Sequence, residues 1–184
     1  MNTDTYRKVY AQNLPFKDNS FDCVLVHAGL HHCQMPHKAL CEMYRVAKKR
    51  VLDMEAQDSL VVRIFAKLGF LLDYETDAID KGSGMGGVNC TSVPNYVIRW
   101  TKREVEKTIS SYDPEKEPNI EFKTKFVFYP IFLNDGMFLS KNPFIKMIGL
   151  KNTEYLFDAG VILQNIFFKN EGNQLFFMIN KDGN

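Results

Sequence analysis

Several side chains that can do acid–base or metal chemistry follow one short apolar segment near the start of the chain. The segment covers residues 21–26, and its length and the turn residues before it predict a buried strand. The groups that follow it are imidazoles and a thiol: His27, His31, His32 and Cys33. Ligand sites in open α/β sheets lie just beyond the carboxyl ends of buried strands. This cluster is therefore the predicted functional site.

Two of these histidines, His31 and His32, are the candidates for a general base, because imidazole titrates near neutral pH. Glu55, at the end of the next predicted strand, is a candidate for orienting a substrate. The alternatives are a histidine that only hydrogen-bonds backbone and a glutamate that is only a solvated strand-end charge. A metal site is disfavoured, since Gly29 and Pro36 interrupt any helix through the cluster and no second ligand group follows it.

The residues after the cluster predict a β-α-β unit. Pro36 suits the first turn of a helix, and apolar residues recur behind it at helical spacing as far as Ala47. The basic run at residues 48–50 is expected to close that helix, because cations suit a helix C-terminus. Residues 51–55 then form a second strand, and this order implies that the two strands pair in parallel.

Further elements are predicted along the rest of the chain. Asp58 is expected to cap a helix with an apolar stripe from Leu60 to Leu71. Thr101 and Glu104 form a capping box at the start of another helix. The remaining predictions are a strand at residues 6–10, a glycine-rich loop at 81–89, a half-buried strand at 120–128, helical pieces within 130–168 and a final strand at 174–179.

The run LPFKDNSFD at residues 14–22, with the strand and histidines behind it, resembles the class I S-adenosylmethionine-dependent methyltransferases that act mostly on small molecules. In that family an LPF-x-D-x-SFD run introduces the fourth strand of a seven-stranded sheet whose last two strands are antiparallel. The resemblance implies a Rossmann-like α/β fold. Its third to seventh strands would be residues 6–10 (the tail of the third), 21–26, 51–55, 120–128 and 174–179.

The resemblance also implies S-adenosyl-L-methionine as cofactor, a small-molecule acceptor, and site residues. Ala11 stands where the family has a small residue beside the cofactor's adenine, and Gln12 follows it. Tyr10 replaces an acidic residue that often receives the adenine amine. His27 closes the fourth strand, where the family residue faces the methionine part of the cofactor. His31 and His32 remain the catalytic candidates.

The family's glycine-rich cofactor loop lies well upstream of the fourth strand, whereas 13 residues precede Leu14 here. We therefore expect residues 1–184 to be one partial, truncated domain without the front strands, with a helical lid at 129–168. The fourth strand would become an exposed edge, which tends to recruit another chain. The alternative function is a non-catalytic interaction module that completes or regulates a partner methyltransferase.

Composition excludes some partners. The formal net charge is +1, from 23 basic and 22 acidic residues, which gives no electrostatic case for nucleic acid or an anionic membrane. No apolar run is long enough to span a bilayer. The first residues lack a secretory signal pattern, and the four cysteines form no Cys-x-x-Cys pair, so a cytoplasmic location is expected.

The glycine run at residues 82–87 mimics a nucleotide-binding loop. Acidic residues precede it where a phosphate loop would follow a hydrophobic strand, and Pro94 falls where the next helix would continue. We interpret it as a loop on the substrate side of the site.

Overall fold

The computed structural model describes residues 8–69, 71, 73–76, 78–80, 82–127 and 143–181. Short 3₁₀ turns lie at Leu30–His32 and Val88–Cys90. The helices and strands are β1 (Phe21–His27), α1 (Pro36–Val46), β2 (Ala47–Ala56), α2 (Leu60–Lys67), β3 (Tyr74–Glu75), β4 (Asn95–Tyr96), α3 (Lys102–Tyr112), β5 (Asn119–Lys125), α4 (Pro143–Ile148), α5 (Leu150–Phe167) and β6 (Gln174–Asn180).

Four strands form a mixed sheet in the order β1-β2-β6-β5. β1 and β2 are parallel, as a strand–helix–strand unit requires. β6 inserts between β2 and β5 and runs antiparallel to both. The predicted Rossmann-like α/β class, with its terminal antiparallel pair, is confirmed. β3 and β4 form a separate two-stranded hairpin-like ribbon that the sequence did not predict.

One face of the sheet carries the core. Side chains from β2 and β6 pack there against α1 and α3 in a cluster that includes Leu40, Val51, Trp100, Ile109 and Ile179, each at most 1% exposed. A fully buried aliphatic or aromatic side chain of this kind contributes roughly 1.5–3 kcal/mol. The core therefore fixes β1 and β2, whose carboxyl ends carry the site, relative to the helices.

The opposite face is much less covered within the described ranges. Leu25 on β1 is 70% exposed and Phe176 on β6 is 38% exposed. A groove of about 420 Å³ runs along this face, and Leu25, His27, Met54, Phe176 and Met178 are among its lining residues. Among the described strands, β1 lies at the edge of the sheet and pairs with β2 alone.

Arg45 on α1 holds the LPFKD run, residues 14–18, in a turn. Its guanidinium donates to the carbonyl oxygens of Leu14 (2.9 Å) and Phe16 (2.8 Å) and to the carboxylates of Asp18 and Glu42 (2.8 Å each). Glu42 in turn accepts from the backbone N–H of Leu14 at 2.8 Å. A planar, five-donor group is suited to such a fork of oxygen atoms. The run therefore leads the chain into β1 as a turn held by α1.

Three predictions on local structure are wrong. The basic residues 48–50 belong to β2 and not to α1, because pairing with β1 begins at Ala47. Ser59, and not Asp58, caps α2 by accepting from Val62 N–H, while Asp58 pairs with Arg63. Residues 8–10 are not in a strand, and residues 6 and 7 lie outside the described ranges.

The apolar stripe predicted for α2 does not face the core. Leu60, Ile64 and Leu68 are 63%, 47% and 58% exposed, and Val62 is the buried residue of this helix. Helical spacing of apolar residues identifies one face of a helix but not what covers it. The capping box of Thr101 and Glu104 is confirmed at the start of α3.

Helices α4 and α5 confirm the helical pieces predicted within residues 130–168, although residues 130–142 lie outside the described part of the chain. Asn165 on α5 anchors this segment by exchanging hydrogen bonds with the backbone N–H and C=O of Phe126, each at 3.0 Å. No described helix is both long and apolar enough to cross a membrane.

Candidate functional site

Glu55 is the centre of the site and is fully buried near the carboxyl end of β2. Its Oε1 accepts hydrogen bonds from the backbone N–H groups of Gly29 (2.8 Å) and Leu30 (2.7 Å). A buried carboxylate without partners would be costly, and these two donors come from the turn that follows β1. Glu55 therefore ties the end of β2 to the end of the neighbouring parallel strand.

His31 lies between two carboxylates. Its Nδ1 is 2.9 Å from Glu55 Oε2 and its Nε2 is 3.2 Å from Glu75 Oε2, and the side chain is 9% exposed. Burial works to lower the pKa of His31, but the hydrogen bond and charge of Glu55 and then of Glu75 outweigh it, so the pKa is raised. Both ring nitrogens are engaged, which favours a proton-holding, positioning role over that of a free base.

His32 is the more accessible imidazole of the pair. Its side chain is 33% exposed, and its Nε2 lies 3.6 Å from Glu75 Oε2. The rings of His31 and His32 are in contact, with centroids 4.4 Å apart. Because a general base needs a nitrogen that can reach the proton it takes, His32 fits that task better than His31.

Glu75 and Asn95 complete the site from the β3–β4 ribbon. Asn95 is fully buried and donates from Nδ2 to Glu75 Oε2 at 3.0 Å. Neither residue could be predicted from the sequence, because each stands in a two-residue strand within a stretch without hydrophobic periodicity. The distance along the chain, 44 residues from His31 to Glu75, leaves no local signal that would join them.

The residues predicted to contact the cofactor lie in different surroundings. Gln12 is buried, and its amide donates to Asn89 Oδ1 at 2.9 Å and accepts from Met35 N–H at 3.1 Å. Ala11 is half-buried against the core cluster. His27 is exposed at the end of β1 and lines the groove on the open face.

The same contacts test how well the chain fits an S-adenosylmethionine molecule. Both ends of the Gln12 amide already have protein partners, so this side chain supports a loop and is not free for an adenine. His27 and Ala11 do fit, because one is an exposed imidazole at the carboxyl edge of the sheet and the other a small side chain.

The glycine run at residues 82–87 lies in a loop whose backbone packing depends on its glycines. A side chain at Gly86, where φ is +126°, would collide with the carbonyl oxygen of Ala78, and one at Gly87 would collide with that of Val93. The glycines are thus needed for close approach of backbone to backbone. Asp80 fixes the loop by accepting from the backbone N–H groups of Gly82 and Ser83 at 3.0 and 2.6 Å.

Comparisons with known proteins bear on the front of the chain. Residues 2–52 match the family model described as "Methyltransferase domain". The ubiquinone/menaquinone biosynthesis C-methyltransferase UbiE of Escherichia fergusonii is 34% identical over 86 residues, covering 40% of this chain and 34% of that protein. UbiE of Haemophilus ducreyi is 49% identical over 43 residues, covering 23% and 17%. The chain thus spans about a third or less of the curated relatives that it matches.

Solved structures of low similarity also match. The YcgJ protein of Bacillus subtilis has a TM-score of 0.48 at 18% identity, covering 95% of this chain and 69% of that one. A SAM-dependent methyltransferase of Methanosarcina mazei has a TM-score of 0.45 at 12% identity, covering 93% and 64%. Similarity at this level says nothing about what the chain binds. The match of residues 2–52 to a methyltransferase family model agrees with the family resemblance of the LPFKDNSFD run.

Proposed function

We propose that this chain is part of an enzyme that transfers a methyl group from S-adenosyl-L-methionine to a small-molecule acceptor. The observation that carries the proposal is the position of the His31–His32 pair. The pair follows β1 directly, within the residues that match the methyltransferase family, and Glu55 holds it at the carboxyl edge of the parallel strands. Substrates of open α/β sheets bind at this edge.

The cofactor supplies an electrophilic methyl group on a sulfonium, which an acceptor displaces in line. The acceptor's nucleophilic oxygen, nitrogen or carbon forms the new bond to the methyl carbon as the carbon–sulfur bond breaks. The protein must hold the acceptor in line and take its proton. In our proposal His32 Nε2 takes that proton, while His31, engaged by Glu55 and Glu75, keeps the turn and the β3–β4 ribbon in place.

His27 and Ala11 are the proposed cofactor contacts, with Gln12 supporting them through Asn89 and Met35. The acceptor is proposed to be apolar in part, because the exposed side of α5 carries large apolar residues such as Leu156, Ile162 and Phe167. In this proposal residues 129–168 form the lid. The names of the curated relatives refer to ubiquinone and menaquinone biosynthesis, and a quinone precursor is one acceptor of suitable character.

A titration of S-adenosylhomocysteine into the purified chain, followed by calorimetry, tests the proposal. Micromolar binding would support the proposal, and the affinity should then fall in His27→Ala and stay unchanged in His37→Asn. His37 is the matched control because it is a half-exposed histidine with its own carboxylate partner, Glu104, at 2.7 Å. A chain that elutes as a folded species and binds no S-adenosylhomocysteine would refute the proposal for the chain acting alone.

A second candidate function is a non-catalytic interaction module, and the open edge of β1 favours it. No described strand pairs with the outer edge of β1, and this edge with the exposed Leu25 is suited to receiving a strand from another copy or from a partner chain. Light scattering after size exclusion tests this candidate. A dimer that dissociates in a Leu25→Lys variant supports it, and a monomer at all concentrations refutes self-association.

We also propose a cytoplasmic location. All four cysteines are free thiols in the structure, and two of them, Cys23 and Cys90, are exposed. Exposed free thiols persist most readily in a reducing compartment.

A further inference from the structure

We propose that His31, His32 and Glu75, named here the histidine–glutamate cluster, bind one divalent transition-metal ion of the zinc class. Each residue offers one ligating atom, and the three atoms all lie within 4.8 Å of one another. Two of the residues come from the turn after β1 and the third from the β3–β4 ribbon. The site therefore depends on the fold and has no local sequence pattern.

The distances within the cluster suit ligands around a single ion. Glu75 Oε2 lies 3.2 Å from His31 Nε2 and 3.6 Å from His32 Nε2. Bond lengths of about 2.0–2.1 Å in a tetrahedral zinc complex place neighbouring ligand atoms about 3.3 Å apart. An ion can thus enter with small movements of the two partly exposed side chains, His32 and Glu75, which are 33% and 39% exposed.

The groups behind the cluster are those that metal-binding histidines require. His31 Nδ1 faces the buried carboxylate of Glu55 at 2.9 Å, which directs Nε2 towards the ion. Such a carboxylate–histidine pair fixes the tautomer and raises the basicity of the ligating nitrogen. Glu75 is held by Asn95 at 3.0 Å. Glu55 itself is held by the N–H groups of Gly29 and Leu30.

The ligand types decide the class of metal. Two imidazoles and one carboxylate favour zinc and its neighbours over Mg²⁺ and Ca²⁺, which take oxygen ligands. Three protein ligands leave a fourth position, which is the pattern of catalytic rather than structural zinc sites. A water molecule can take that position. If the acceptor's oxygen or nitrogen takes it instead, that step rests on the proposed methyl transfer, whereas metal binding itself does not.

Calorimetric titration of Zn²⁺ into the full chain, with Co²⁺ absorption spectroscopy as the second probe, tests the proposal. We expect one ion per chain with micromolar or tighter affinity, and the visible bands of tetrahedral Co²⁺. Glu75→Gln and His32→Asn should each weaken binding at least tenfold. Glu55→Gln should weaken it by about 10–100-fold, as loss of an outer partner does elsewhere.

His37→Asn is the matched control and should bind zinc like the parent chain, because its partner Glu104 belongs to α3 and not to the cluster. Circular dichroism of each variant shows whether it is folded, and Glu75→Gln alters the most exposed group of the cluster. A folded parent chain that binds no zinc, or a folded Glu75→Gln variant with parental affinity, would overturn the proposal. Zinc binding without S-adenosylhomocysteine binding would leave the metal site standing while refuting the cofactor site.

Discussion

Asp53 is a buried acid whose ionisation should control the stability of the chain. It lies on β2 between Val26 and Phe177 on the neighbouring strands, and it is 4% exposed. Neither carboxylate oxygen has a hydrogen-bond partner among the described residues. Burial, and then the charge of Glu55, raise the pKa of Asp53 to about 9.

The sign of the pH effect follows from that shift. Because the pKa is higher in the folded chain than in the unfolded chain, where it is 3.8, the unfolded chain loses its proton first as pH rises. The contribution of Asp53 to the free energy of unfolding is therefore most favourable below about pH 4 and declines until about pH 9. Each pH unit in that window costs about 1.4 kcal/mol, so the loss between pH 5 and pH 7 is about 3 kcal/mol.

Replacing the ionisable group tests this reasoning. Urea unfolding of the parent, Asp53→Asn and Asp53→Leu at pH 5, 6 and 7 gives the free energy of unfolding for each. Between pH 5 and pH 7, the free energy of unfolding of each variant should rise by about 3 kcal/mol relative to that of the parent. This change is expected whatever the difference between variant and parent at pH 5. A parent-to-variant difference that stays constant with pH, within about 0.5 kcal/mol, would show that Asp53 is solvated or paired in the folded chain.

Two further predictions concern local structure. Arg45→Lys should lower the free energy of unfolding by about 1–3 kcal/mol, because one ammonium cannot replace a guanidinium that contacts two carbonyls and two carboxylates. Chemical denaturation measures the free energy of unfolding, and an unchanged value would mean that the Arg45 contacts do not stabilise the LPFKD turn. Thr101→Ala should cost about 1 kcal/mol by removing the cap on Glu104 N–H, and an unchanged midpoint in the same assay would contradict it.

The elements that could be predicted from the sequence are those whose signal is local. The strand at β1, Pro36 at the start of α1 and the capping box at Thr101 each depend on a few adjacent residues, and all three are confirmed. The family resemblance added the antiparallel β5–β6 pair, which no local pattern orders. The start of β2 was misjudged because a basic run suits a helix end and an exposed strand equally well.

The residues of the site also divide into those with a local sequence signal and those without one. His31, His32 and Glu55 could be found because each follows a predicted strand, and strands that pair in parallel bring their carboxyl ends together. Glu75 and Asn95 could not be found, since a two-residue ribbon is shaped by long-range contacts. Yet these two residues decide the chemistry of the site. Glu75 engages the second nitrogen of His31, which is why we propose His32 as the base, and it also adds a third ligand atom to the two histidines of the proposed metal site.

The proposed acid–base chemistry and the proposed metal binding would compete at this site, because both use the atoms around Glu75. A proton on His31 can bridge Glu55 and Glu75, and an ion bound at Nε2 would have to displace that bridge. The same ion would occupy the Nε2 atom of His32 and remove it as a base. The proposed roles of His32 as a base and as a zinc ligand therefore exclude each other.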